Sequence, residues 1–277
     1  MRSVQRDALC PVCSSPSSQS MRFSGFRVRS CGICKHEFST DFGPGARTVY
    51  APSYFSETHA NWFNNPDVGL FSLIEGILLE RFSKDLRLID IGCGTGNFLR
   101  HLSGRGFTDL SGLDIIEQEI PGVRYHCTPA EEFRPQSRYD AVVSIANIEH
   151  LEDVRAHAAQ LEDMLNPGGL ALVYTNDSRS LIYLLAKALF VLSVPFAAAR
   201  LYDPHHVNHF SASSLVQLFT RAGFTPHSLV RRNIPSNAVD LPAVAFRPVL
   251  AVGVACIGVV ATLFRRQMFQ LAVFAKL

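Results

Sequence analysis

The sequence has little net charge and little lysine. Its 26 basic and 24 acidic residues leave a formal charge of +2 over 277 residues, too small for a protein whose main work is coating nucleic-acid phosphates. Only four basic residues are lysines (Lys35, Lys84, Lys187, Lys276), and no function follows from that bias. No secretory leader is expected, because MRSVQRDALCPVC carries arginines but no apolar run before its first cysteine. That reading gives a reducing, cytoplasmic setting, in which paired cysteines serve metals more often than disulfides. Internal repeats and low-complexity tracts are absent. So is an uninterrupted apolar run of the ~20 residues one membrane span needs: residues 249–264 are uncharged, but extending back to Ala243 meets Arg247 and Pro248. What is plentiful is apolar surface. With 47% hydrophobic and 18% charged residues, a disordered or solvating chain is excluded. The length fits one ordinary core domain with a small appendage, or at most two domains.

Four of the seven cysteines fall in the first 34 residues, as Cys10-x2-Cys13 and Cys31-x2-Cys34, with 17 residues between the knuckles. This is the spacing of a tetrahedral four-cysteine zinc site. The intervening RFSGFRVRS suits a small hairpin, and a module of residues 1–45 is too small to fold on core burial alone, so bound zinc would supply folding free energy. Four thiolates leave no open coordination position, which makes the expected site structural. His36 as a substitute ligand for Cys34 is a second option, and a redox dithiol pair a third.

Beyond residue 54 the pattern changes. Phe71, Ile74, Ile77, Leu78 and Phe82 recur at helical spacing. Short apolar runs at 86–91, 110–115, 123–127, 139–145 and 170–175 read as strands, with helical stretches at 98–102 and 154–165 between them. Alternation of this kind implies βαβ units and a parallel sheet covered on both faces. Asn166-Pro167-Gly168-Gly169 is expected to be a turn. Further on, 211–222 reads as a helix with Ser211 as N-cap and Gly223 as its stop; 224–231 and 270–275 read as two last strands. Two apolar inserts, 181–199 and 243–264, interrupt this part of the chain.

Asp90-Ile91-Gly92-Cys93-Gly94-Thr95-Gly96 stands where the first strand hands over to a helix. Glycines there let backbone approach a ligand, and the helix start offers unpaired N–H groups. The dinucleotide pattern GxGxxG fails in both registers, at Asn97 and at Leu99. Asp114 ends the next strand, where a carboxylate can accept bonds from both hydroxyls of a ribose. DIGCGTGNF with GLDI, then YDAVVSIANIEHLED and LNPGGLALVYTND, resembles in order and spacing the motifs of class I S-adenosylmethionine-dependent methyltransferases. The resemblance covers residues 54–277. It implies an α/β, Rossmann-like seven-stranded sheet, mostly parallel, with a reversed last strand, to which the zinc-ribbon-like module is appended. By the same resemblance Gly92, Gly94 and Gly96 line the methionine and ribose side of S-adenosylmethionine, with Asp90 supporting the turn. Asp114 holds the ribose hydroxyls, Ala130 and Glu131 flank adenine, and Ile145 and Ala146 border the sulfonium. Pro129 stands where an acid is common.

Residues 202–211 hold three of the ten histidines. Pro204-His205-His206-Val207-Asn208-His209-Phe210-Ser211 resembles a segment of methyltransferases from polysaccharide and cell-surface gene clusters. A loop there overhangs the carboxyl ends of the strands, and an imidazole could take a proton from an attacking hydroxyl. His206 and His209 are candidate bases and His150 another, while Glu149 is expected to structure the site. The alternative for each histidine is loop hydrogen bonding or helix capping. The apolar inserts can form lid helices packed on each other, or an interfacial hairpin with Arg200, Arg265 and Arg266 at headgroup level. Either makes one side of the pocket apolar. The expected function is methylation of a hydroxyl on a sugar, a lipid-linked glycan or another small amphipathic acceptor, with peripheral contact at the inner face of a membrane. One rival is an RNA methyltransferase whose ribbon binds RNA through Arg22, Arg27, Arg29 and Lys35 with Phe23 and Phe26, although near-neutral charge argues against nucleic acid as partner. Another is a non-catalytic membrane adaptor that keeps the fold.

Overall fold

The computed structural model describes residues 8–42, 64–235 and 247–277. The end of the cysteine-rich module at 43–45, residues 54–63 and the start of the second apolar insert, 243–246, lie outside the described residues. The cysteine-rich segment forms β1 (Ser17–Arg22), β2 (Arg27–Cys31) and β3 (Glu37–Thr40), joined as antiparallel neighbours. The β1–β2 pair is the hairpin expected between the knuckles.

There follow α1 (Val68–Leu79), β4 (Arg87–Ile91), α2 (Asn97–Gly104), β5 (Asp109–Asp114), β6 (Val123–Cys127) and β7 (Tyr139–Ile145). A short 3-10 turn over Ile148–His150 leads into α3 (Val154–Met164) and β8 (Leu165–Asn176). Asp67 caps α1 by accepting the Leu70 N–H at 2.9 Å, and Asp153 caps α3 through the Arg155 and Ala156 N–H groups. The first apolar insert becomes α4 (Leu181–Val191) and α5 (Phe196–Leu201), broken where Ser193 takes φ +64° ahead of Pro195. Then come β9 (Asn208–His209), α6 (Ala212–Arg221), β10 (Phe224–Arg232), α7 (Arg247–Leu263) and β11 (Phe269–Lys276). Ser211 caps α6 in a capping box with Ser214, and Gly223 ends the turn beyond it at φ +100°.

The main sheet has seven strands in the order β10-β11-β8-β7-β4-β5-β6. β4 to β8 pair in parallel, whereas β11 runs antiparallel to both β8 and β10. The reversed last strand is therefore present. Residue alternation builds the two faces. Leu88, Leu172 and Leu271 point to the side covered by α1 and α2, with Leu70, Ile74 and Leu102 upon them. Ile89, Val173 and Phe274 point to the other, under Val154 and Leu161 of α3 and Leu215 and Phe219 of α6. The NPGG stretch is not a turn before the strand. It lies inside β8 as an irregularity, with pairing that slips between Tyr139↔Leu165 and Ala141↔Leu170 while Gly168 takes φ +79°.

A second sheet has the order β1-β2-β3-β9, its last strand coming from the histidine loop. Cys10, Val12, Cys31, Cys34 and Phe38 share the core of the α3/α6 face. Met21, Phe26 and Val28 pack on Tyr183, Ala198 and Tyr202 of the α4–α5 region. Phe26 and Arg29 are buried, the latter donating to the Ser17 hydroxyl and carbonyl at 2.9 and 2.6 Å. The basic-aromatic face that RNA binding would need is thus partly spent on internal packing. α4 packs against α7, and among the described residues no helix is long and apolar enough to cross a membrane.

Phe274 is buried and stacks on Phe219 with centroids 4.3 Å apart. Phe274→Ala should cost about 3–5 kcal/mol in urea unfolding, since it leaves a ring-sized void beneath α6.

Candidate active site

The backbone between β4 and α2 turns on three glycines with positive φ: Gly92 (+73°), Gly94 (+51°) and Gly96 (+77°). Side chains are excluded there by space as well as by dihedral. A Cβ on Gly92 would meet Asn147 Cγ at 2.5 Å, and one on Gly96 would meet Ile120 Cδ1 at 2.1 Å. The turn is tied to the neighbouring strand tip. Gly92 and Cys93 donate to the Leu113 carbonyl at 2.8 and 3.1 Å, and Gly94 N–H donates to Asp114 Oδ2 at 2.7 Å. The other oxygen of Asp114 accepts from Ile116 N–H at 3.2 Å.

A cavity of about 1290 Å³ opens over this edge of the sheet. Of the residues singled out from sequence, Asp90, Gly92, Gly94, Asp114, Ala130, Glu131, Ile145, Ala146, His150 and His206 line it. Gly96 lies behind the lining, under Ile120. His209 is set apart from the cavity. It is fully buried in β9, with Nδ1 3.2 Å from Tyr183 Oη, and burial holds its pKa well below the usual histidine range. Ala146 at the tip of β7 takes φ +50°, with its N–H held by the Tyr174 carbonyl at 2.8 Å. Strain of this kind in a non-glycine residue persists only where its surroundings fix it. The sequence reading missed Asn147, which backs the glycine turn; α7, from the second apolar insert, contributes Val254 and Ile257 to the lining, on the apolar side expected of it. Asn147 adjoins the IEH motif, which was its one available signal.

At the other end of the cavity the 3-10 turn and the histidine loop meet. His150 Nδ1 lies 3.0 Å from the His205 carbonyl, which can only accept, so that nitrogen carries a proton and the lone pair of the neutral ring is on Nε2. The rings of His150 and His206 are 4.7 Å apart. Ligand atoms of Glu149, His150 and His206 all lie within 4.8 Å of one another. Glu149 accepts from Thr175 Oγ1 at 2.8 Å, and burial pushes its carboxyl up to about 7. Burial, reinforced by the charge of Asp114, pushes the Asp90 carboxyl up to about 8, and Asp90 Oδ1 has no hydrogen-bond partner. The apolar wall comes from α4, α5 and α7, including Leu185, Leu189, Phe196 and Val259.

The four knuckle cysteines converge below the histidine loop. Sγ atoms of Cys10 and Cys34 are 3.5 Å apart and those of Cys13 and Cys31 are 3.4 Å apart, with all four within 4.8 Å. These separations are far beyond a disulfide and near the ~3.8 Å edge of a tetrahedron with Zn–S bonds of ~2.3 Å. Within the Cys10–Cys34 pair the hydrogen bond from the Cys34 thiol lowers Cys10, while the same bond and burial raise Cys34. The set could bind zinc with no position left for substrate. His36 is buried with Nε2 on Asn208, outside this cluster.

A seven-stranded sheet of this order, with a glycine turn after its first strand and an acid at the tip of the second, is the fold of the class I S-adenosylmethionine-dependent methyltransferases. Within that class the chain belongs to the methyltransferase-domain family, whose pattern matches residues 69–229. It is 27% identical over 153 residues to a ubiquinone biosynthesis O-methyltransferase of Rickettsia canadensis, covering 47% of this chain and 64% of that one. It is 34% identical over 101 residues to one from Bradyrhizobium diazoefficiens, covering 32% and 40%. The chain thus spans less than two thirds of the length of these curated relatives. A chain from the complex of the Haloferax volcanii Trm112 methyltransferase activator has the same fold, with TM-score 0.57 at 12% identity, covering 82% of this chain and 99% of that one.

The raised Asp90 carboxyl has a consequence for stability. An acid whose folded pKa is raised stabilises the fold most below its unfolded value near 4, and that contribution is lost as pH rises through about 8. Thermal melts of the ligand-free protein should fall in Tm between pH 6 and 9. Asp90→Asn should flatten that decline and melt higher than wild type at pH 9.

Proposed function

We propose that this methyltransferase transfers the methyl group to a hydroxyl of a small amphipathic acceptor, with a sugar or lipid-linked glycan as the favoured class. What carries this reading is a single cavity with three kinds of wall: the glycine turn and Asp114 at one end, the His150–His206 pair at the other, and apolar helices along the side. The names of the relatives from Rickettsia canadensis and Bradyrhizobium diazoefficiens agree with oxygen as the nucleophile.

S-adenosylmethionine supplies an electrophilic methyl on a positively charged sulfur. In this reading Asp114 accepts bonds from the ribose hydroxyls, Gly92 and Gly94 give the methionine portion close backbone approach, and Ala130 and Glu131 flank the adenine. Ile145 and Ala146 border the sulfonium. With that group bound, the acceptor hydroxyl would take the methyl group to give a methyl ether, and Nε2 of His150 would hold the proton the hydroxyl releases. His206 packs against His150 and lines the acceptor. Most of the acceleration comes from holding the oxygen near the methyl with water excluded by the apolar wall. His209, buried behind the pair, serves the loop and not the proton transfer.

The exposed apolar side chains favour an acceptor presented at a lipid surface. Val191 (81% exposed), Leu192 (72%) and Phe196 surround the break between α4 and α5, and Leu263 and Phe264 end α7. Arg200 is exposed near that break, whereas Arg265 and Arg266 are exposed beyond α7, where the Arg266 carbonyl accepts from Leu181 N–H at the opposite end of α4. Apolar side chains of this kind with arginines near them can rest in a bilayer interface. The cysteine cluster is read as a structural zinc site, and residues 1–45 as the unit it holds.

Two charge-assisted bonds to a ribose are worth ~1.5–3 kcal/mol each, so Asp114→Ala should weaken S-adenosylhomocysteine binding by about 10²-fold or more in calorimetry. Unchanged affinity would remove the cofactor assignment. His150→Ala should leave that affinity intact and slow methyl transfer by about 10²-fold. With labelled S-adenosylmethionine and fractionated cell extract, label should enter the glycolipid or nucleotide-sugar fraction. Label confined to RNA would overturn the acceptor class.

A further inference from the structure

The histidine loop opens with a turn closed by Asp203, which accepts from the His205 and His206 N–H groups at 2.8 and 2.9 Å, but the strand after it is held by other parts of the fold. β9 is two residues long and pairs only with β3 of the cysteine ribbon, Glu37 opposite His209 and Phe38 opposite Asn208. Ser39 N–H donates to the Val207 carbonyl at 2.8 Å, and its hydroxyl donates to the His206 carbonyl at 3.4 Å. On the far side, the Ser211 and Ser213 hydroxyls both donate to the carbonyl of Cys34, at 3.2 and 3.0 Å. One buried amide connects the ribbon to the active site. Asn208 Oδ1 accepts from His36 Nε2 at 3.1 Å across 172 positions of sequence, and Asn208 Nδ2 donates to the carbonyl of Leu151 at 2.6 Å. Leu151 directly follows His150, and Asn208 is two residues from His206.

We propose that Asn208 is a positioning residue through which the four-cysteine ribbon sets His206 against His150, so that metal in the ribbon orders the acceptor half of the active site. The proposal rests on the reading of His150 and His206 as the acceptor side. A two-residue strand cannot order itself, because its few hydrogen bonds do not offset the entropy of fixing a ten-residue loop. Its template, a module of a few dozen residues, in turn depends on thiolate–metal bonds for its fold. The cofactor half has no such dependence. The glycine turn and Asp114 are fixed by bonds from the Gly92, Cys93 and Gly94 N–H groups to Leu113 and Asp114, none of which involves a ribbon residue. Losing the metal, or the Asn208 bridge, should therefore uncouple the two halves and leave donor binding in place.

The test uses the full chain loaded with one equivalent of zinc, with hydrogen exchange, S-adenosylhomocysteine calorimetry and label transfer from S-adenosylmethionine into cell extract read in parallel. In Asn208→Ala, zinc content should stay at one per chain and S-adenosylhomocysteine affinity within about twofold of wild type. Amides of 203–210 should exchange about tenfold faster or more, while those of 87–114 are unchanged. Label transfer should fall by about tenfold or more. His36→Ala should reproduce this phenotype. His36→Gln, whose amide can donate to Asn208 Oδ1, should restore both loop protection and transfer, a rescue that a role in stability alone would not produce. Stripping zinc with a chelator should expose 203–210 ahead of 87–114. Unaltered exchange at 203–210 in Asn208→Ala, or loss of loop protection and S-adenosylhomocysteine binding together on chelation, would overturn the proposal. The exchange readout stands whether or not the extract is methylated, so failure of the proposed reaction is distinguishable from failure of the positioning role.

Discussion

Between β4 and α2 the backbone reverses direction within a few residues, which requires left-handed dihedrals at Gly92, Gly94 and Gly96. That turn is also the point at which two strands are locked together. Its amides bond to the carbonyl of Leu113 and the carboxylate of Asp114, so the turn and the acid move as one body. The parallel ladder then transmits this reference to β7, where the strained Ala146 marks the other edge of the same opening. A shift of one residue in the β4–β5 register would turn Asp114 away from the cavity, which is why the position of this acid and that of the turn cannot vary independently.

Charge in the cavity follows from burial. Asp90 and Glu149 are both removed from water, and their carboxyls are pushed up to about 8 and about 7. Each is therefore poised near neutrality, where a nearby positive charge favours ionisation and its loss favours protonation. Both residues line the cavity, and the apolar helices on its open side keep solvent from screening charge there.

Much of this was legible in the sequence because it is written locally. The strands, the glycine turn, the acid eighteen positions beyond Gly96, the capping serine of α6 and the paired cysteine knuckles all announce themselves within a few residues. What could not be read was written across distance. β9 has too few residues for any periodicity, and its partner lies some 170 positions earlier, so nothing marked 208–209 as a strand. That pairing is also what withdraws His209 from the cavity while leaving His206 on its wall, a distinction that three neighbouring histidines on a loop do not reveal. The NPGG stretch carried turn residues, as expected, but the strand continued through them because Tyr139 pairs with Leu165 before the slip.

The ribbon's place in the molecule changes how its basic and aromatic residues are understood. As a separate module, Arg27, Arg29, Phe23 and Phe26 would offer a face for RNA. In the fold, Arg29 is consumed by Ser17, Phe23 stacks between Phe26 and Phe190, and Glu37 takes Lys187 at 2.6 Å together with the hydroxyl of Tyr202. Lys187 and Tyr202 belong to the same insert that walls the cavity. A buried carboxylate bonded on both oxygens resists displacement, since removing either partner would strand the charge. The ribbon therefore grips the apolar wall through Glu37 and the histidine loop through β3, and the acceptor side of the cavity takes its shape from a part of the chain that contributes little to the cavity lining itself.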